Sequence, residues 1–210
     1  MDKERFIELW SRCVEDGRED AESVYHLIEA HYSETHRFYH TSHHIEHCLS
    51  QFDLAISEVL DPDAVEMALW FHDVIYDIPT SENERRSAEL FRDKTHGRVD
   101  KEFGCNVFDM ILITMHRDLP YKHDDKLIVD IDLSSFGLPW EDCERESKNV
   151  RSEFAHKTDQ EFYSSHVKFM QSLLARDFFY TSDFFRDHYE ETARKNVQRL
   201  IDQVKKSGWS

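Results

Sequence analysis

Glycine and proline are scarce in this chain, five and four among 210 residues, and neither is clustered. A sheet protein of this length needs far more turn residues, and no stretch has the composition of a linker between domains. The four cysteines, Cys13, Cys48, Cys105 and Cys143, form no Cys-x-x-Cys pair. That excludes a zinc knot and a dithiol redox motif, and they read as reduced core or surface thiols. Long apolar runs are also missing. The start, Met1-Asp2-Lys3-Glu4-Arg5-Phe6, has no signal-peptide core, and no later stretch approaches bilayer-crossing length. A soluble, cytoplasmic protein without a membrane partner is expected. Basic residues are outnumbered, 26 Lys and Arg against 43 Asp and Glu, for a net charge of −17. Such a surface repels a phosphate backbone, which argues against extended nucleic acid as a partner, while a small anion could still reach a pocket charged by metal.

What remains is rich in helix formers, with 40% hydrophobic residues, enough for one sizeable core. The expectation is an all-α, single-domain helical bundle over residues 1–210. Apolar residues recur at helical spacing in Asp2 to Glu15, with Phe6, Leu9, Trp10 and Cys13, and in Ala21 to Tyr32. Thr41 or Ser42 can cap a third helix whose stripe holds His40, His44 and His47. Asp61-Pro62-Asp63 starts a buried helix ending near Phe71, and Ile78-Pro79-Thr80 then breaks the chain. Ser81 and Glu84 have the spacing of a capping box for a helix running toward Gly97, followed by an exposed polar loop from His96 to Lys101. Phe103 to Met115 reads as another buried helix. Leu127 to Leu133 is short enough for a strand, but its helical surroundings favour helix. Trp140 to Ala155, Asp159 to Ala175 and Ser182 to Val204 complete the set, with a frayed tail from Lys205.

The pair His72-Asp73 follows the apolar run Ala68-Leu69-Trp70-Phe71. A carboxylate at the end of so buried a helix carries a large desolvation penalty unless a positive group meets it, and a divalent cation is one of few partners able to do so. Two other segments could complete its shell: Tyr39-His40-Thr41-Ser42-His43-His44-Ile45-Glu46-His47 upstream, and Asp130-Ile131-Asp132-Leu133 downstream. Fourteen histidines are present, and their crowding between His36 and His47 exceeds what composition explains. Imidazoles combined with carboxylates suit Mn, Fe, Co, Ni or Zn better than Ca, with Mg also admissible.

The order His44, His72-Asp73, Asp132 in an all-helical chain resembles the HD-domain superfamily of metal-dependent phosphohydrolases. A small subfamily of predicted HD phosphohydrolases is similar over most of the chain: in Arg37-Phe38-Tyr39-His40, His44-Ile45, Trp70 to Asp77, Asn83-Glu84, Ser87-Ala88, Thr114 with His116, Asp130 to Leu133, Arg151-Ser152-Glu153-Phe154 and Ala193-Arg194-Lys195-Asn196. The resemblance implies His44, His72, Asp73 and Asp132 as metal ligands, one or two ions, and cleavage of a phosphoester of a small molecule, a nucleotide or phosphomonoester, by metal-bound hydroxide. Tyr39-His40 ahead of His44 also resembles the pattern of cyclic nucleotide phosphodiesterases, which implies a general-acid role for His40. Asp73 could bridge to a second ion held or oriented by His116, Glu84 and His96, and Arg37, Lys122 and Arg151 are candidates for phosphate oxygens.

Asp130 and Asp132 cannot face the same way on a helix, so one of them is expected to bind; the resemblance implies Asp132, which directly precedes Leu133 as the family's final Asp usually does, and leaves Asp130 as a supporting or substrate-facing residue. His43 and His47 read as surface or supporting residues. Two other readings stay open: a di-iron oxygenase of the same fold that adds His96 and His116 as ligands, and an inactive nucleotide-binding module.

Overall fold

A computed structural model describes residues 1–78 and 80–209; Pro79, expected to break the chain, lies outside them. The described residues are helical without a strand, so the protein is all-α. Of Leu127 to Leu133, ambiguous by length, the stretch through Asp132 belongs to an α-helix and Leu133 opens a 3-10 turn. The chain forms two compact units, Met1–Ile131 and Asp132–Ser210. Their division falls at the last residue of a continuous helix, which is why no shift in composition marks it.

In the first unit, α1 (Lys3–Cys13) starts where Asp2 accepts the Arg5 N–H, and it buries Phe6, Leu9 and Trp10. A turn at Val14 to Asp16 leads to α2 (Gly17–Tyr32). A Cβ at Gly17 would lie 2.6 Å from the Trp10 carbonyl oxygen, so only glycine lets the two helices come this close. α3 (Ser42–Leu54) is capped by Thr41, whose hydroxyl oxygen accepts from the His43 N–H. His40 therefore lies in the turn before the helix and not on its stripe, because the cap fixes the helix start two residues later.

α4 (Pro62–Phe71) begins with the expected Asp61 cap and Pro62 in its first turn. Every residue from Ala64 to Phe71 is buried, and α4 packs against α1, α3, α5 (Asn83–Thr95) and α6 (Lys101–Ile113). Trp70 meets Phe6 edge-on at 5.2 Å, and Phe71 meets Phe91 likewise at 5.4 Å. Truncating either ring to alanine would cost about 3–5 kcal/mol. Both acidic residues on this helix are matched, Glu66 by Arg5 Nε at 2.8 Å and Asp63 by Arg12 Nη2 at 2.7 Å.

The Ser81–Glu84 capping box does not form: Glu82 is the N-cap of α5 and gives no side-chain cap. Asn83 is instead tied to Asp77, accepting from its N–H at 3.0 Å and donating to its carbonyl at 3.1 Å. α6 starts at Lys101, earlier than Phe103, because the Asp100 carboxylate accepts from the N–H groups of Glu102 and Phe103. α7 (His123–Asp132) is anchored where the Asp124 carboxylate accepts from the backbone N–H groups of Leu60 and Asp61.

The second unit holds a 3-10 turn at Leu133–Gly137, then α8 (Trp140–Glu153), α9 (Asp159–Leu174) and α10 (Asp183–Lys206). α10 extends two residues further into the tail, to Lys206, than its apolar pattern indicates. It packs on the 3-10 turn, where Asn196 Nδ2 donates to the carbonyls of Phe136 and Leu138 at 2.8 Å each. A full capping box does occur at α9, between Thr158 and Glu161. No helix of the described residues is long and apolar enough to cross a membrane.

Candidate metal centre

The C-terminus of α4 delivers His72 and Asp73 from the most buried helix of the first unit, and the first turn of α3 brings His44 against them. His72 is fully buried. Its Nδ1 lies 2.8 Å from the Leu69 carbonyl, the acceptor three residues earlier, so Nδ1 donates there and Nε2 is the nitrogen turned to His44 and Asp73. This arrangement, a backbone carbonyl orienting the far nitrogen, is the usual support of a metal-binding histidine.

His72 Nε2 lies 3.2 Å from His44 Nε2 and 3.0 Å from Asp73 Oδ2, and His44 Nε2 lies 3.5 Å from the same oxygen. The circle through these three atoms has a radius of about 1.9 Å, so an ion could stand at coordination distance, about 2.0–2.2 Å, from all three. Two nitrogen donors and a carboxylate at these separations fit a divalent cation. The backbone adds to the attraction, because the C-terminal end of α4 presents the negative pole of its dipole.

A wider set overlaps this triangle. Donor atoms of His44, Cys48, His72 and Asp132 all lie within 4.8 Å of one another; the first three residues are buried and Asp132 is half-buried. This group could hold a metal ion. Asp132 is the last residue of α7 and is presented by that helix. Asp130, two residues earlier and so facing away from Asp132, is fully buried. Cys48 was not anticipated as a donor; the signal was its place one helical turn after His44, which puts both on one face.

Arg37 holds the centre from behind. Its side chain is fully buried, between the rings of Tyr32 and Tyr76. Nη1 donates to the Asp73 carbonyl at 2.7 Å and the His40 carbonyl at 3.2 Å, Nη2 to the Val74 carbonyl at 2.9 Å, and Nε to Glu34 at 2.9 Å. The guanidinium expected to meet phosphate thus fastens the His-Asp turn to the segment before α3. Tyr32 adds a second tie: its hydroxyl donates to the Trp70 carbonyl and accepts from the Asp73 N–H, each at 3.3 Å. Burial, with the Asp73 charge nearby, raises its phenol well above the usual range, so it stays protonated.

Of the remaining sequence candidates, His40 reaches the rim. Its ring stacks on Tyr76 at 4.1 Å, and Nε2 lies 4.0 Å from Asp73 Oδ2. Glu84 lies half-buried in the first turn of α5. His116 follows α6 in a left-handed conformation, φ 54°, which a non-glycine residue adopts only under local constraint. His96 is exposed at the end of α5. Lys122 lies 3.5 Å from Asp109, and the negative charges of Asp125 and Asp109 outweigh burial to raise its pKa. Arg151 is engaged within the second unit, with Asp159 at 2.7 Å and the carbonyls of Phe154 and Lys157.

Residue chemistry and geometry together define a candidate divalent-metal site in an all-helical protein. Searches of protein-family models, curated proteins and solved structures return no match.

Proposed function

We propose that this chain is a metal-dependent hydrolase that cleaves a phosphoester of a small molecule, with nucleotides and phosphomonoesters as its substrate class. The reading is supported above all by the convergence of His44 Nε2, His72 Nε2 and Asp73 Oδ2 within 3.5 Å of one another. His44, His72, Asp73 and Asp132 are the proposed ligands of one or two ions drawn from Mn, Fe, Co, Ni, Zn and Mg. A bound ion of this kind supplies acidification of water and neutralisation of phosphoryl charge. The chain's own residues supply the rest. The carbonyl of Leu69 keeps the His72 proton on Nδ1. Arg37 and Tyr32 fix the peptide that carries Asp73. His40, held against Tyr76, is the proposed proton donor to the leaving oxygen. Glu84 and His116 are proposed to orient water or a second ion, and Lys122 to steer the anion toward the site.

Purified protein is to be incubated with a panel of nucleotides and phosphomonoesters in Mn, Co, Ni, Mg or Fe. Release of phosphate or nucleoside product is expected, and His72→Ala and Asp73→Ala should abolish it. No product above those two variants would refute the reading for these substrate classes. A di-iron oxygenase would show two irons per chain and substrate-dependent oxygen uptake, and an inactive module would bind nucleotide tightly without product.

A further inference from the structure

Four thiols are present, but only one stands among metal donors. Cys48 follows His44 by one turn of α3, is fully buried, and places Sγ 3.6 Å from His44 Nε2 and 3.8 Å from Nδ1. For nitrogen and sulfur donors at about 2.1 and 2.3 Å from a tetrahedral ion, the expected separation is about 3.6 Å. Sγ is thus nearly equidistant from the two ring nitrogens of His44. His72 and Asp132 complete a group of two nitrogens, one sulfur and one oxygen.

The other thiols lack this company. Burial, with the charge of Asp63, pushes Cys13 up to about 12, and burial with neighbouring glutamates does the same to Cys143, so both remain protonated. Cys105 is exposed.

We infer that Cys48 is a thiolate ligand of the metal centre, and that it makes the site select a thiophilic divalent ion, zinc, cobalt or ferrous iron, over magnesium or manganese. The inference rests on the metal-binding half of the proposed function and is independent of which bond is cleaved. Sulfur is a poor donor to hard cations and a strong one to borderline ions, so a single thiolate in place of an oxygen or water shifts the preference. On binding, the S–H bond breaks, the proton leaves to the buffer and a sulfur–metal bond forms.

The test is cobalt substitution of the full chain, read by absorption. One equivalent of Co(II) should produce a near-ultraviolet thiolate-to-cobalt charge-transfer band. The band should vanish in Cys48→Ala and persist in Cys105→Ala, which controls for adventitious binding at the exposed thiol. Competition of zinc against manganese should fall at least tenfold in Cys48→Ala. Should Cys48→Ala not fold, the wild-type and Cys105→Ala spectra still decide the matter, because a tightly bound cobalt without the band overturns the inference. A band that survives in folded Cys48→Ala overturns it equally. The two readings fail separately: cobalt bound without the band removes Cys48 and leaves the hydrolase standing, whereas the band without any phosphoester turnover keeps Cys48 and removes the hydrolase. Absence of any divalent binding removes both.

Discussion

Replacing Arg37 with methionine keeps most of the side chain's volume between Tyr32 and Tyr76 while deleting every hydrogen bond of the guanidinium. The losses differ. The Asp73 and Val74 carbonyls accept at 2.7 and 2.9 Å from a fully buried donor, so each is left as a buried acceptor. An acceptor stranded in this way costs about 1–3 kcal/mol. The His40 bond is longer, 3.2 Å, and belongs to a half-buried residue that water can serve in part. Glu34 is about one-third exposed and loses little. Arg37→Met should therefore destabilise the metal-free protein by about 3–5 kcal/mol, the scale of breaking a buried charged network. Because the same carbonyls belong to the His-Asp turn, affinity for cobalt or zinc should fall about 10–100-fold, as for loss of a group that orients a ligand. Arg37→Lys keeps the charge but not the fork, and should fall between wild type and Arg37→Met in both measurements. Urea unfolding followed by circular dichroism in chelator gives the first quantity, and calorimetric metal titration of the folded variant gives the second. An Arg37→Met protein within 0.5 kcal/mol of wild type, on the order of a neutral surface change, and with unaltered metal affinity, would refute the brace.

Two further perturbations probe the second unit. A Cβ at Gly137 would lie 2.8 Å from Tyr189 Cβ and 3.0 Å from the Tyr180 hydroxyl, so Gly137→Ala should destabilise by about 1–3 kcal/mol, read as a lowered urea midpoint; an unchanged midpoint would show that α10 gives way freely. His166 stacks on Phe162 at 4.9 Å, and burial lowers its pKa to about 4. Its folded value is below its unfolded one, so the stability it protects is complete above about pH 6.5 and is lost as pH falls toward 4, by at most about 3 kcal/mol. His166→Phe should flatten that part of the stability profile, and an unaltered profile would place the titration elsewhere.

Periodicity made most of the helices legible, because apolar spacing is a local property that survives without tertiary knowledge. Asp61-Pro62 announced the start of α4, and Ala68 to Phe71 announced its burial. Caps were less legible. Ser81 and Glu84 have capping-box spacing, yet the backbone there is held by the exchange between Asn83 and Asp77, a tie that spacing alone does not reveal. Thr158 and Glu161 have the same spacing and do form the box. The division after Ile131 left no trace in composition, since it falls within α7, one residue before its end, where the sequence is still that of a helix.

The metal centre divides in the same way. His72 and Asp73 were legible because a charge directly after the apolar run Ala68 to Phe71 is a conflict that something must resolve. His44 and Asp132 lay in segments whose composition could complete a cation's shell, but they were singled out there only by a resemblance, since neither residue's own surroundings demand a cation. Arg37 could be seen as a cation near the site, but not as one spent on backbone carbonyls, because hydrogen bonds to carbonyls have no residue signature. Cys48 shows the opposite case. Its position one turn after His44 is as plain in the sequence as any helix of the chain, but the familiar sequence sign of a thiolate site is a Cys-x-x-Cys pair, which a single cysteine on a histidine's helix face does not make. The consequence is physical: a set of imidazoles and carboxylates admits manganese and magnesium, and the same set with a thiolate favours zinc and its neighbours. In the proposed site, one side chain within a turn of His44 would therefore decide which ion the other ligands work with.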